Sequence, residues 1–108
     1  LKNLNGIEYL KNLSKLSIYG GIDNIAPLSN LKHLKLLELY NCRISDLTPL
    51  MDLKKLNRLE IQSNKIVISD ASTLLKLPAL KYLFIPYSNI LDEITLNKLI
   101  DNGVYISE

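Results

Sequence analysis

Few side chains of this sequence have the chemistry of an active site. The 108 residues contain one histidine, His33, and one cysteine, Cys42. A catalytic triad or a metal cluster needs further nucleophiles or ligands, and no glycine-rich phosphate loop is present. We interpret Cys42 as a buried, inert thiol and His33 as a solvated surface residue. We therefore expect no enzymatic activity, no cofactor and no metal site.

Three aspartates recur at similar positions along the chain, at Asp46, Asp70 and Asp92. They are compatible with a row of cation ligands or with caps that begin helical turns. Capping is the commoner role, because a carboxylate oxygen accepts the unpaired N–H groups at the positive end of a helix. We expect caps, and we expect the segment 70–77 to form two turns of α-helix that end before Pro78.

The elements that position these side chains follow from a repeat. Leucine occurs 24 times and isoleucine 13 times, so 37 of the 108 residues are one of these two. Their positions recur in columns along the chain, with steps of 21, 22 and 24 residues in the column Leu13, Leu34, Leu56 and Leu80. Repeats of ~20–29 residues indicate a solenoid, in which each unit buries its apolar face only by stacking on its neighbours.

Two copies of the repeat have the same spacing throughout. Offsets of 0, 3, 5, 8 and 10 describe Leu34, Leu37, Leu39, Cys42 and Ile44, and again Leu56, Leu59, Ile61, Asn64 and Ile66. The first copy is one residue shorter at Gly20-Gly21, and the third is two residues longer. This spacing resembles the leucine-rich repeat, L-x-x-L-x-L-x-x-N/C-x-L.

The segments that link these motifs narrow the resemblance. Arg43-Ile-Ser-Asp-Leu-Thr-Pro-Leu50 precedes Met51-Asp-Leu-Lys-Lys-Leu-Asn-Arg-Leu-Glu-Ile61, and Ile25-Ala-Pro-Leu28 repeats its x-P-L signature. From residue 1 to about residue 90, the chain is similar to the short repeats of the internalin-like surface proteins of Gram-positive bacteria. The resemblance implies a surface or secreted parent protein, whereas cytosolic solenoids with a similar period leave a cytoplasmic location open.

The predicted fold is an α/β solenoid, a leucine-rich repeat of about four units with a parallel concave sheet of five short strands. Residues 1–91 form the repeats, the first of them incomplete, and residues 92–108 form a closing helix and the last strand. We place that strand at Val104–Ile106, 21 residues after Leu83 and Ile85. The apolar residues at 1, 4, 7 and 10 match a convex half-repeat, which predicts either truncation or processing at Leu1 or an end covered by a neighbour.

The outward positions of the strands carry the candidate binding site. Strand alternation turns one set of residues away from the aliphatic core, and five of the seven aromatic residues belong to that set. Aromatic residues and arginine are enriched in protein interfaces, although β-propensity alone also favours exposed aromatics on strands. The residues predicted to contact a partner are Tyr19, Leu36, Glu38, Tyr40, Arg58, Glu60, Tyr82, Phe84 and Tyr105.

These patterns favour a non-enzymatic module that binds another protein. The formal charge of +2 is too small to indicate a nucleic-acid partner, and no apolar run approaches the ~18 residues of a membrane span. The alternative is a structural spacer or self-association module within a larger protein, pairing through the N-terminal end of the solenoid, or a cytosolic scaffold.

Overall fold

Five short parallel strands form the backbone of the fold. The structure is a computed structural model, and it describes residue 4 and residues 6–62, 68–86 and 92–107. The strands are β1 (Lys15–Tyr19), β2 (Leu36–Tyr40), β3 (Arg58–Gln62), β4 (Tyr82–Phe84) and β5 (Tyr105–Ser107). They lie side by side in chain order in one open sheet, each parallel to its neighbours. The predicted α/β solenoid is confirmed.

Strand alternation separates an aliphatic face from a polar and aromatic one. The inward residues of β2, Leu37 and Leu39, have no exposed surface, and Leu59 on β3 has none either. Leu37 stands opposite Leu16 on one side and Leu59 on the other. Matching side chains of successive units therefore stack into a continuous core, which no single unit could form.

The segments that precede the first four strands are 3-10 helices rather than α-helices. They cover Ile7–Tyr9, Ala26–Asn30, Thr48–Leu50 and Ser72–Lys76. Hydrogen bonds link apolar residues three apart, as from the Leu50 N–H to the Leu47 carbonyl (2.9 Å) and from the Leu53 N–H to the Leu50 carbonyl (3.0 Å). A helix with 3.0 residues per turn keeps every third side chain on one line.

This spacing corrects the α-helix predicted over residues 70–77. The structure has a 3-10 helix at Ser72–Lys76 instead. Ala71, Leu74, Leu77 and Leu80 are all at most 5% exposed. Their separation of three residues fits the 3-10 period, whereas 3.6 residues per turn would rotate some of them away from the core.

The aspartates accept hydrogen bonds at the starts of helical turns, as predicted, although Asp46 and Asp70 stand one residue before the N-cap positions Leu47 and Ala71. The Asp46 carboxylate accepts hydrogen bonds from the N–H (2.9 Å) and the hydroxyl (2.8 Å) of Thr48. Asp70 does the same for Ser72, at 2.9 and 2.6 Å. These hydrogen bonds stabilise the charged carboxylates and hold the pKa of both aspartates below the ordinary value. Asn24 plays the equivalent part for the Ala26 N–H (2.9 Å), which the aspartate pattern did not reveal.

Asp92 joins the C-terminal helix to the preceding unit. It accepts from the Thr95 N–H (3.1 Å) and hydroxyl (2.6 Å) at the start of α1 (Glu93–Asp101), the predicted closing helix. Its second oxygen also accepts the N–H of the buried Ala71 (3.0 Å). The division of the chain between residues 91 and 92 stays a prediction.

No helix in the described ranges has the length and hydropathy needed to cross a bilayer.

The last strand is displaced from its predicted position. β5 begins at Tyr105, one residue later than expected, and Tyr105 pairs with Tyr82 rather than with Phe84. The predicted step of 21 residues is therefore 23 at this point. The cause lies in the turn after α1, where Gly103 takes a positive φ (89°) and the Val104 N–H still bonds to the Leu99 carbonyl (3.0 Å).

Two turn positions test the repeat further. Cys42 is buried, and its thiol donates to the Tyr40 carbonyl (3.5 Å), in keeping with a structural role. The residue after β1 is Gly20 (φ 83°) and the residue after β2 is Asn41 (φ 57°), so both turns use a left-handed residue. In the next copy, Asn64 corresponds to Cys42 and Ile66 to Ile44, and both lie outside the described residues.

Burial differs sharply within one repeat column, and this predicts unequal costs for the same substitution. Leu31→Ala removes a side chain with no exposed surface, so we expect it to lower the free energy of unfolding by roughly 2–5 kcal/mol. Leu10→Ala, at a side chain that is 55% exposed, should cost less than about 1 kcal/mol. Urea denaturation measures both, and equal costs would contradict the stacking described above.

Candidate protein-binding face

All nine residues predicted to contact a partner lie on the outward side of the sheet. The structure arranges this surface, called the open sheet face below, in three rows that cross the strands. The rows are Lys15, Leu36, Arg58, Tyr82 and Tyr105; then Ser17, Glu38, Glu60, Phe84 and Ser107; then Tyr19, Tyr40 and Gln62. The row order follows from the register that aligns the inward leucines.

Two tyrosines form a stacked pair at one edge of the open sheet face. Tyr19 and Tyr40 are direct partners in the β1–β2 register. Their ring centroids lie 5.0 Å apart with an interplanar angle of 14°. Tyr19 is 75% exposed, so the pair presents a preformed aromatic surface to solvent.

Two carboxylates occupy the centre of the open sheet face. Glu38 and Glu60 are neighbours across β2 and β3, and the Tyr40 hydroxyl lies 3.2 Å from Glu38 Oε2 and 3.4 Å from Glu60 Oε1. A hydroxyl has one hydrogen, so Tyr40 donates to only one of the two carboxylates at a time. The Ser17 hydroxyl donates to the other oxygen of Glu38.

This cluster shifts two acid–base equilibria. Burial, followed by the negative charges of Glu60 and Glu38, raises the pKa of Tyr40 from 10.0 to about 12. The hydrogen bond from Ser17 is the largest cause that holds the pKa of Glu38 below its ordinary value. At neutral pH the cluster therefore contains a neutral phenol beside an ionised Glu38.

Arg58 neutralises part of this negative charge. Its Nε donates to Glu60 Oε2 at 3.0 Å. Glu60 is only 8% exposed although it points outward, because its neighbours on three strands surround it. Its main contacts are therefore within the chain, whereas the Arg58 side chain is 48% exposed. The sequence pattern placed Glu60 on this face but did not indicate that its side chain is buried.

A pocket opens beside this cluster, towards β5. It has a volume of about 330 Å³. Its lining residues are Arg58, Tyr82, Leu83, Phe84, Tyr105 and Ser107. Tyr82 and Tyr105 are 48% and 65% exposed, so aromatic surface borders the opening. Ser107 is absent from the predicted set, because the predicted register of β5 placed Tyr105 beside Phe84.

The open sheet face thus offers stacking surfaces, a hydrogen-bonded acidic centre and one half-exposed guanidinium group. Groups of these kinds are common in protein interfaces. Across the part of the chain that the structure describes, no group of three or more His, Cys, Asp or Glu side chains could hold a metal ion. His33 is exposed, and its Nδ1 lies 3.3 Å from Lys55 Nζ.

Two solved structures of bacterial proteins share this architecture. The structure is similar to internalin C2 of Listeria monocytogenes, with a TM-score of 0.76 and 34% identity over 97% of this chain and 45% of that chain. It is also similar to internalin F of the same species, with a TM-score of 0.71 and 32% identity over 94% of this chain and 30% of that one. The chain therefore spans less than half the length of either protein. No family model matches the chain, and no curated protein matches it significantly.

The raised pKa of Tyr40 gives a prediction for alkaline solution. The fold favours the neutral phenol, so this stabilisation is complete below pH 10.0 and disappears as the pH rises through about 12. Ultraviolet titration of the wild type and of Tyr40→Phe should differ by one ionisation near pH 12. Glu60→Gln, which removes a nearby charge, should lower that pKa.

A difference step centred near pH 10 would show that the Tyr40 hydroxyl is not enclosed by the two carboxylates. Tyr9→Phe serves as the control, because it removes a tyrosine hydroxyl from an exposed side chain outside the open sheet face and leaves every group that raises the pKa of Tyr40 in place.

Proposed function

The chain is a leucine-rich repeat protein whose repeats are similar to those of the internalins, and we propose that it is a non-enzymatic module that binds another protein through the open sheet face. The observation that carries the proposal is the placement of the aromatic residues. Tyr19, Tyr40, Tyr82, Phe84 and Tyr105 all project from this one face, whereas the core beneath it is aliphatic. These rings are therefore not needed to fill the interior.

The rigidity of the face supports the same conclusion. Tyr40 is fixed by stacking on Tyr19 and by hydrogen bonding to Glu38 and Glu60, and Arg58 is fixed by Glu60. A side chain that is already ordered loses little conformational entropy when a partner binds. Recognition by this surface would proceed with little rearrangement of the backbone.

The resemblance to internalins extends the proposal to the parent protein. We propose that this chain belongs to a bacterial protein that is secreted or displayed at the cell surface, with a protein as its partner. The rival is a cytoplasmic scaffold built from the same repeat. An export signal or a wall anchor in the complete gene would distinguish the two locations.

A second candidate function rests on the other end of the solenoid. Tyr9 and Leu10 are 79% and 55% exposed, beside a cavity of about 490 Å³ lined by Glu8, Tyr9, Lys11, Asn30 and Lys32. Exposed apolar side chains of this kind favour association with another surface, whether an adjoining repeat or a second molecule. The chain would then serve as a spacer or self-association module.

A partner protein can be isolated by its binding to the immobilised wild-type chain. The affinity of that partner for the wild type and for variants then tests the main proposal. The double variant Tyr40→Ala/Phe84→Ala should weaken the complex by about 2 kcal/mol or more, because it removes aromatic contacts from both halves of the open sheet face. Met51→Ala, at an exposed side chain outside that face, should leave the affinity unchanged. Circular dichroism verifies that each variant remains folded.

Unchanged affinity of the folded double variant would remove the open sheet face from consideration. Light scattering of the chain alone distinguishes the second candidate function, self-association, from binding to a different protein. A dimer that forms with rising concentration and is lost in Tyr9→Ser/Leu10→Ser would favour self-association instead.

A further inference from the structure

The pocket beside β5 differs from the rest of the open sheet face in its combination of groups. Three aromatic side chains line it, those of Tyr82, Phe84 and Tyr105, and one charged side chain, that of Arg58. Because Tyr82 pairs with Tyr105 and lies two residues from Phe84, the three rings form a cluster across two strands. A large apolar side chain can be desolvated by such a cluster.

Arg58 supplies a directed positive charge at the wall of this pocket. Glu60 engages only its Nε, at 3.0 Å. Within the described residues, the two terminal nitrogens of the guanidinium group have no hydrogen-bond acceptor, and the side chain is 48% exposed. The fork of terminal N–H groups matches the two oxygens of a carboxylate.

The hydrogen-bond donors at the pocket favour a ligand with an acceptor group. Glu60 does not line the pocket, is 8% exposed, and has its Oε2 occupied by Arg58. Arg58 is the only charged residue among the lining residues in the described part of the chain. Glu60 already offsets the Arg58 charge through Nε, so the selection comes from the remaining guanidinium N–H groups, which offer two donors in partly desolvated surroundings to an acceptor such as a carboxylate.

We propose that this pocket binds a peptide segment of the partner protein in which a large apolar side chain stands next to an acidic residue. The apolar side chain lies against Tyr82, Phe84 and Tyr105, and the carboxylate accepts hydrogen bonds from the terminal nitrogens of Arg58. Ser107 also lines the pocket, on β5, with β4 between it and Arg58. This inference rests on the proposed function and assigns a ligand class to one part of the open sheet face.

Short peptides with blocked ends test the inference without a known partner. The probes are Gly-Phe-Asp-Gly, Gly-Phe-Asn-Gly and Gly-Ala-Asp-Gly, titrated into the isotope-labelled chain while amide chemical shifts are recorded. We expect Gly-Phe-Asp-Gly to shift the amides of residues 82–84 and 105–107. Its affinity should exceed that of each of the other two peptides by about tenfold, since a charge-assisted pair and a buried ring contribute amounts of that order.

Variants assign this selectivity to the proposed groups. Arg58→Gln should abolish the preference for the aspartate peptide over the asparagine peptide, while Arg43→Gln, at the other arginine of the chain, should retain it. Phe84→Ala should weaken both phenylalanine peptides and leave the charge preference intact. Dispersion of the amide spectrum reports whether each variant is folded. Arg58→Lys replaces Arg58→Gln if the latter unfolds; it keeps the charge but lacks the fork of terminal N–H groups, so it should reduce the preference for the aspartate peptide.

Equal affinity for the aspartate and asparagine peptides would overturn the inference, as would the absence of any shift at residues 82–84 and 105–107. Peptide shifts or partner contacts confined to Tyr19 and Tyr40 would overturn it while leaving the proposed function intact. Partner binding that spares the whole open sheet face would overturn both.

Discussion

The structure depends on parallel, in-register pairing of units that cannot bury their apolar residues alone. Leu37 is buried because Leu16 and Leu59 flank it on the neighbouring strands. The 3-10 segments keep every third apolar residue directed at the same core, as at Leu47, Leu50 and Leu53. The step between units follows from this requirement, and so does the position of every outward side chain.

The open sheet face is a consequence of that register. Tyr19 can stack on Tyr40, and Glu38 can lie beside Glu60, only because the strands are aligned residue for residue. The acidic centre is then held by few donors, since the single Tyr40 hydrogen lies between two carboxylates and Arg58 engages one of them. Burying the leucines therefore fixes a polar and aromatic surface on the opposite side of the same strands.

The periodicity of the sequence predicts the structural features that recur in every repeat. It does not predict features that occur in one repeat alone. The strand positions, the aliphatic core and the outward placement of all nine candidate residues follow from the columns. The register of β5 does not, because it depends on the turn at Gly103 and Val104 after α1. The covering of Glu60 and the donation from Ser17 are also absent from the pattern, since both depend on neighbours in space rather than on residue type. The binding role of the candidate residues stays a prediction.

Nuclear Overhauser effects between strands report the register of the parallel sheet itself. In the isotope-labelled chain, we expect contacts that join the partners Ser17 with Glu38, Glu38 with Glu60, and Tyr82 with Tyr105. Strands ~4.8 Å apart bring backbone protons of these partners well within range. Contacts typical of antiparallel strands, or a register shifted by one residue, would place the aromatic residues against the core and contradict the account.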